Sequence, residues 1–159
     1  MAELNQNKSM RGFTFNMINI VILNYNGYRD TLSCLYSIVD SQPDSFRIII
    51  VDNNSTDESV EKISLALFGL DNEYMDVNCI NGSLPDMAIR KSKYILIKSD
   101  INGGYAYGNN LALKYLICGQ VDNGEFVLIL NNDTVVLKGA SPEYFLACKV
   151  VSISSPMRF

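Results

Sequence analysis

Two acidic residues stand where they could do chemistry, because each comes directly after a short apolar run. Asp52 follows Ile48–Val51, where its carboxylate could accept two hydrogen bonds from a ligand N–H or from ribose hydroxyls. Asp133 ends the segment Asn131-Asn132-Asp133 after a second such run. Carboxylate and amide oxygens are the ligands that a hard divalent cation such as Mg²⁺ takes. Taken alone, each segment is explained at least as well by an ordinary turn or helix-entry loop.

A glycine-rich segment could bring backbone close to a ligand. Asn102, Gly103 and Gly104 lead, three residues later, into Gly108 and Asn109. Such an entry to a helix can approach a phosphate or a sugar. Neither the dinucleotide fingerprint nor a Gly-x-x-x-x-Gly-Lys phosphate loop is present. The alternative explanation of the glycines is tight packing of a helix on a sheet.

A further polar segment, from Asn24 to Gly27, carries an aromatic ring. Tyr25, with Tyr28 just after it, could stack on a nucleotide base. A core or surface position is the more frequent explanation of a tyrosine. Asn26 and Gly27 together are a turn signal.

Continuous apolar runs predict the strands that position these segments. A run that is apolar on both faces is typical of a buried parallel strand. The predicted strands are Met17–Leu23, Phe46–Val51, Tyr94–Ile97 and Phe126–Leu130, with a short one near Val77–Ile80.

Helical spacing of apolar residues predicts three helices between the strands. The first covers Tyr28–Val39, with Leu32, Leu35, Tyr36 and Val39 on its stripe. The second starts at a capping box formed by Ser55 and Glu58 and runs to about Gly69. The third covers Tyr105–Ile117. Alternating strands and helices predict a parallel sheet with helices on both faces, which brings the four polar segments to one edge.

Composition narrows the functional classes. The chain has 159 residues, of which 48% are hydrophobic and 19% charged, as expected of about one globular domain. Its net charge of −4 argues against a nucleic-acid partner. The absence of histidine excludes an imidazole base, and the four scattered cysteines argue against a zinc site. No apolar run reaches the length of a membrane span and no secretory signal is evident, which predicts a cytoplasmic protein.

Together the four polar segments resemble the family-two glycosyltransferases of the GT-A fold, in order and in approximate spacing. The asparagine in place of the first carboxylate of the last motif resembles bacterial rhamnosyltransferases and related enzymes of surface polysaccharide synthesis. The motifs are Ile20-Val21-Ile22-Leu23-Asn24-Tyr25-Asn26-Gly27, Ile49-Ile50-Val51-Asp52-Asn53-Asn54-Ser55-Thr56-Asp57, Asn102-Gly103-Gly104-Tyr105-Ala106-Tyr107-Gly108-Asn109-Asn110 and Leu128-Ile129-Leu130-Asn131-Asn132-Asp133-Thr134.

The resemblance implies roles for the matching residues. The loop of Asn24, Tyr25 and Asn26 lies under the nucleotide base, and Asp52 binds the base or the ribose edge. Asn102 and Gly103 line the nucleotide-sugar pocket, with Asn109 nearby. The site also includes Asn131, which replaces the first carboxylate. Asp133 is the ligand of the Mg²⁺ or Mn²⁺ that bridges the diphosphate.

The resemblance also implies a fold and a reaction. The fold is a three-layer α/β/α, Rossmann-like GT-A domain over residues 17–159, after a flexible leader of residues 1–16. The reaction transfers a sugar from a UDP- or dTDP-sugar to a saccharide or lipid-linked acceptor, with inversion. In a bacterium it serves surface polysaccharide synthesis, and the full-length enzyme associates peripherally with the inner face of the membrane.

One expected component is not found in the sequence. The family takes its general base from the part of the domain after the metal motif. The only acidic residue after Asp133 is Glu143, whose surroundings do not match the base motif. No catalytic residue is therefore assigned, and we expect a truncated domain without transfer activity of its own. The alternatives are a nucleotide-binding or dimerisation fragment, which an uncovered apolar face would favour, and an unrelated α/β nucleotide-binding protein.

Overall fold

A computed structural model describes the chain over residues 9–10, 13–14, 17–41, 45–85, 92–118 and 125–138. Within the predicted leader, β1 (Ser9–Met10) and β2 (Phe13–Thr14) pair as an antiparallel ribbon. The other leader residues, and Glu143 with everything else after residue 138, lie outside the described residues. The predicted domain bounds, residues 1–16 and 17–159, therefore stay a prediction.

Five further strands form one parallel sheet in the order β5-β6-β4-β3-β7. Isoleucine and valine dominate its central strands, and these β-branched side chains fit a pleated, buried surface. All five strands were predicted from the sequence and are confirmed. They are β3 (Met17–Asn24), β4 (Phe46–Asp52), β5 (Met75–Cys79), β6 (Tyr94–Ser99) and β7 (Glu125–Asn131).

Three helices cover the two faces of this sheet: α1 (Tyr28–Ser41), α2 (Ser59–Leu70) and α3 (Gly104–Cys118). Successive strand residues point to opposite faces. Ile20 and Ile22 accordingly belong to the core beneath α1 and α2, whereas Val21 belongs to the core beneath α3. The predicted three-layer α/β/α arrangement of the GT-A class is confirmed.

The predicted capping box of the second helix is wrong. Helix α2 begins at Ser59, and Glu58, which precedes it, makes no capping hydrogen bond with its side chain. The backbone N–H of Ser59 instead donates to Asp57 Oδ1 at 2.9 Å. The hydroxyl of Ser55 is not available for capping, because it binds the carboxylate of Asp52 at 2.6 Å.

A polar cluster fixes the register of three strands near their amino ends. Asn19 on β3 is fully buried, and its Oδ1 accepts a hydrogen bond of 2.8 Å from Arg47 Nη1 on β4. Its Nδ2 donates to Glu125 Oε2 on β7, also at 2.8 Å. Arg47 Nη1 lies 3.6 Å from the same carboxylate oxygen. The side-chain amide of Asn19 thus lies between the two charges, and both its oxygen and its nitrogen form hydrogen bonds within the sheet.

Candidate functional site

The carboxyl ends of four parallel strands bring the four polar segments to one edge of the sheet. Asn24 at the end of β3 is in register with Asp52 at the end of β4. Asn131 at the end of β7 pairs with Leu23, and Lys98 near the end of β6 pairs with Asp52. The shared edge expected from the sequence is therefore confirmed. Ligands of open parallel sheets bind at edges of this kind.

Asn24 and Asp52 form the buried centre of this edge. Asn24 is fully buried and Asp52 is 1% exposed. Asn24 Nδ2 donates to Asp52 Oδ1 at 2.8 Å, and the hydroxyl of Thr31 donates to Asn24 Oδ1 at 2.7 Å. Both ends of the Asn24 amide are therefore satisfied by side chains of the protein.

Ser55 joins the first two loops. Its N–H donates to Asp52 Oδ2 at 2.9 Å, and its hydroxyl donates to Asp52 Oδ1. The same hydroxyl accepts from the backbone N–H of Asn26 at 2.9 Å. Asn26 and Asn54 have φ values of 50° and 62°, a left-handed conformation that asparagine tolerates better than most residues. The asparagines of these loops thus provide the backbone bends that the hydrogen bonds require.

The carboxylate of Asp52 accepts three hydrogen bonds from the chain itself: one from Asn24 and two from Ser55. These hydrogen bonds connect the loop after β3 to the loop after β4. Its predicted contact with a base or a ribose is not tested by these distances and stays a prediction.

The chain also links the first loops to the segment that follows β7. Asn132 Nδ2 donates to the hydroxyl of Thr31 at 3.3 Å, and Thr31 in turn donates to Asn24. One line of hydrogen bonds therefore runs from Asn132 through Thr31 and Asn24 to Asp52. Thr31 was missed at the sequence level, because a threonine in the first turn of a helix gives no signal of such a contact.

Asn53 connects the second loop to the glycine-rich segment. It is 2% exposed, and its Nδ2 donates to Asn102 Oδ1 at 2.8 Å and to the carbonyl of Gly104 at 3.3 Å. Asn102 Oδ1 also accepts from the backbone N–H of Gly104 at 3.0 Å. Asn53 was not among the predicted site residues, although its position directly after Asp52 was a usable signal.

Packing accounts for two of the glycines. A Cβ at Gly108 would lie 2.2 Å from Leu23 Cδ1, so this glycine lets α3 lie close to β3. A Cβ at Gly103 would lie 2.2 Å from the Tyr107 ring. The explanation by packing of a helix on a sheet therefore holds for Gly108, whereas the close contact at Gly103 is with a side chain of α3 itself. A role of Gly103 in lining a pocket stays a prediction.

The other predicted substrate residues differ in their access to solvent. Tyr25 is 49% exposed, and its stacking on a base stays a prediction. Asn109 is 4% exposed, and its Nδ2 donates to the backbone carbonyl of Tyr105 at 3.0 Å. Asn109 lies within α3 and binds the backbone of its first turn, and a contact with ligand stays a prediction.

The segment after β7 presents the predicted metal carboxylate. Asp133 is exposed on a turn in which the N–H of Thr134 donates to the carbonyl of Asn131 at 3.1 Å. The hydroxyl of Tyr105 on α3 donates to Asn131 Oδ1 at 3.3 Å, which ties this turn to the helix. In the part of the chain that the structure describes, no three His, Cys, Asp or Glu residues cluster as a complete metal site.

This donor set fits a magnesium-like ion. Mg²⁺ often takes only one or two carboxylates, with the remaining positions filled by water and substrate phosphates. Asp133 would hold the ion, and the side-chain amide oxygen of Asn131, two residues earlier, is an additional oxygen donor on the same turn. The thiol of Cys34 is a poor ligand for this ion. Burial, and secondly the charge of Asp133, raise its pKa to about 11, so it is protonated at neutral pH.

Comparison with known protein families gives a match over part of the chain. Residues 19–75 match the model of Glycosyl transferase family 2. The match covers about a third of the chain and shows that these residues are similar to family 2 glycosyltransferases. The match includes the loops of Asn24 and Asp52 and ends before the glycine-rich segment. No curated protein sequence matches the chain.

Solved glycosyltransferase structures have the same fold. Residues 1–349 of TarS from S. aureus align with a TM-score of 0.50 and 20% identity, covering 77% of this chain and 29% of that one. A longer TarS structure gives a TM-score of 0.51 at 20% identity, over 77% and 18% of the chains. A Pyrobaculum calidifontis mannosyltransferase, solved in complex with GDP-Man and Mn²⁺, gives 0.51 at 17% identity, over 74% and 28%.

These likenesses establish the GT-A fold. The chain spans less than a third of the length of each of these structures. Among its described residues, no helix is long and apolar enough to cross a bilayer.

Proposed function

We propose that this chain is the donor-binding part of a glycosyltransferase that takes its sugar from a nucleoside diphosphate sugar, with UDP or dTDP as the carrier. The observation that carries the proposal is the line of hydrogen bonds from Asn132 through Thr31 and Asn24 to Asp52. It fixes the ends of β7, β3 and β4 relative to one another. A site that must hold a base, a ribose and a diphosphate together needs loops fixed in this way.

Each part of the donor has a complementary group at this edge. The exposed ring of Tyr25 would stack on the base, and Asn24 and Asn26 hold the loop beneath it. Asp52 would bind the base or the ribose edge, and Asn102 and Gly103, with Asn109 nearby, would line the nucleotide-sugar pocket. Asp133, beside Asn131, would hold Mg²⁺ or Mn²⁺. When bound, such an ion stabilises the charge that builds on the departing nucleoside diphosphate. The mannosyltransferase of the same fold was solved with Mn²⁺ and a nucleotide sugar.

The acceptor side of the proposal is a saccharide or a lipid-linked saccharide. The reaction is inverting, and its biological role is bacterial surface polysaccharide synthesis in the cytoplasm at the inner face of the membrane. These finer statements rest on the Asn131-Asn132-Asp133 motif, which resembles that of rhamnosyltransferases.

Calorimetry with UDP and dTDP, each with and without Mn²⁺, tests donor binding. We expect wild type to bind one of the two nucleotides more tightly with Mn²⁺, and Asp133→Ala to lose that gain. Glu73→Ala is the matched control, because Glu73 is an exposed carboxylate on the turn before β5, at the opposite edge of the sheet. Wild type that binds neither nucleotide, or an Asp133→Ala variant that keeps the full Mn²⁺ dependence, would overturn the proposal.

A second candidate is a nucleotide-binding or dimerisation fragment without transfer activity. Exposed apolar residues at one side of the sheet favour it: Ile129 on the edge strand β7 is 36% exposed, and Val135 and Leu137 beyond it are 61% and 76% exposed. Among the described strands β7 pairs only with β3, and an edge strand with apolar neighbours is a surface for self-association. Light scattering would show a concentration-dependent dimer, and sugar transfer above a no-protein control would exclude a fragment without activity.

A further inference from the structure

The side-chain amide of Asn102 can point in only one direction. Its Oδ1 lies 3.0 Å from the N–H of Gly104 and 2.8 Å from Nδ2 of Asn53. Both of these groups are donors, so the amide atom that faces them must be the oxygen. The nitrogen of Asn102 therefore faces away from them. Asn102 is exposed, and no described residue accepts a hydrogen bond from this nitrogen.

The orientation of Asn53 is equally determined. Its Nδ2 also faces the carbonyl of Gly104 at 3.3 Å, and a carbonyl can only accept. Its backbone N–H donates to the carbonyl of Asn24 at 2.9 Å, which fixes Asn53 to the end of β3. Asn53 is 2% exposed, and its backbone N–H and its side-chain Nδ2 are both held by hydrogen bonds, so its side chain has little freedom to rotate.

The other end of the Asn53 amide is left without a partner. Its Oδ1 is buried and accepts no hydrogen bond from the described residues. An unpaired buried acceptor lowers stability, whereas an apolar side chain of similar size would avoid that cost. Asn53 is therefore placed for the contacts of its amide nitrogen rather than for packing.

We infer that Asn53 is a positioning residue that turns the N–H groups of Asn102, already placed in the proposed donor pocket, toward an acceptor on the nucleotide. The inference rests on the proposed donor-binding function. The two N–H groups of Asn102 suit an acceptor, which is either a carbonyl oxygen of a pyrimidine base or an oxygen of the diphosphate. They do not suit a metal ion or a hydroxyl hydrogen.

Neutral substitutions separate this role from a purely structural one. In Asn102→Ser, the hydroxyl oxygen can still accept from the N–H of Gly104, but the outward N–H groups are lost. In Asn53→Ser, the side chain is too short to reach Asn102. We expect Asn102→Ser to bind UDP or dTDP roughly tenfold more weakly and Asn53→Ser to lose less. The double variant should bind no more weakly than Asn102→Ser alone, because Asn53 acts through Asn102.

The same calorimetry includes one control and two simpler ligands. Asn72→Ser changes an exposed asparagine on the turn after α2, at the opposite edge of the sheet, and should bind the nucleotide as wild type does. Thermal unfolding of every variant verifies that it is folded. Uridine and inorganic pyrophosphate identify the atom bound: the ligand whose affinity falls in Asn102→Ser carries the acceptor.

The outcomes separate the two proposals. Wild type that binds neither nucleotide rejects the proposed function, and the present inference with it. If wild type binds and a folded Asn102→Ser binds equally well, only the inference is overturned. Losses from Asn53→Ser and Asn102→Ser that add in the double variant overturn the positioning role of Asn53.

Discussion

Asn24 Nδ2 donates a hydrogen bond of 2.8 Å to Asp52 Oδ1, across the registered ends of the neighbouring strands β3 and β4. Both residues are buried, with at most 1% of their surface exposed to solvent. Because Thr31 binds the opposite end of the Asn24 amide, the amide is held on both sides. The two loops that begin at these residues therefore share one anchor, and a change at either residue should be felt in both loops.

Replacing the carboxylate at the centre of this anchor should destabilise the fold. In Asp52→Asn, one end of the new amide is an N–H group that must face a donor of Asn24 or Ser55. A buried donor without an acceptor costs about 1–3 kcal/mol, so the free energy of unfolding should fall by that amount in urea denaturation. Asp76→Asn is the control, because it breaks only the exposed ion pair with Lys98 and should cost at most about 1 kcal/mol. Equal losses in the two variants would contradict the central role of Asp52.

The close packing of α3 on the sheet gives a second prediction. Gly108→Ala should destabilise the protein by about 1–3 kcal/mol, because the new methyl group would overlap Leu23. Gly69→Ala in α2 is the matched control, since a Cβ there meets nothing within 4 Å. Alanine favours a helix over glycine, so this variant should gain about 0.5–1 kcal/mol. Chemical denaturation of both variants measures the difference, and a gain of stability in Gly108→Ala as well as in Gly69→Ala would show that packing at Gly108 is not limiting.

The strands and the shared polar edge could be predicted because their signal is local. Short runs of isoleucine and valine such as Ile48–Val51 favour a buried strand, and parallel strands must present their carboxyl ends together. The start of α2 was predicted wrongly for the opposite reason. Ser55 and Glu58 have the spacing of a capping box, but the Ser55 hydroxyl finds a stronger acceptor in the buried carboxylate of Asp52.

Contacts between distant residues were beyond prediction from sequence. Leu32, Leu35, Tyr36 and Val39 predict the apolar stripe of α1, yet Tyr36 is 44% exposed and Thr31 is fully buried. The reason is that Thr31 meets Asn132, which is 101 residues away in the chain. Nothing in the local pattern shows that these two segments meet. The fold is thus encoded in local patterns, whereas the hydrogen bonds that shape the site depend on which strands become neighbours.

The buried thiol of Cys34 gives a prediction about pH. Burial, and secondly the charge of Asp133, raise its pKa from 9.0 to about 11, so the folded state keeps a proton that the unfolded state releases. The stability contributed by this group is present below pH 9 and is lost as the pH rises toward 11. Unfolding free energies measured from pH 8 to 11 should therefore fall less steeply in Cys34→Ala than in wild type. Parallel pH profiles would contradict the assignment, whereas a constant offset between them reflects only the smaller side chain.

The charge cluster at the amino ends of the strands gives the last prediction. Glu125→Gln removes the negative charge that lies 3.6 Å from Arg47 Nη1 and that also binds Asn19. The side chain of Arg47 is only 11% exposed. An uncompensated charge in such a site should lower the free energy of unfolding by about 1–3 kcal/mol. Glu61→Gln is the control, because its carboxylate is 67% exposed and its ion pair with Lys62 should contribute about 0–1 kcal/mol.

A double variant distinguishes the ion pair from simple packing at this cluster. Replacing both charges, in Arg47→Met with Glu125→Leu, leaves no unpaired charge beside Asn19. If the cost of Glu125→Gln comes from the isolated charge of Arg47, the two substitutions should not be additive. The double variant should lose less stability than the sum of the losses in Arg47→Met and Glu125→Leu alone. Additive losses in urea denaturation would show instead that each side chain contributes through its own packing contacts.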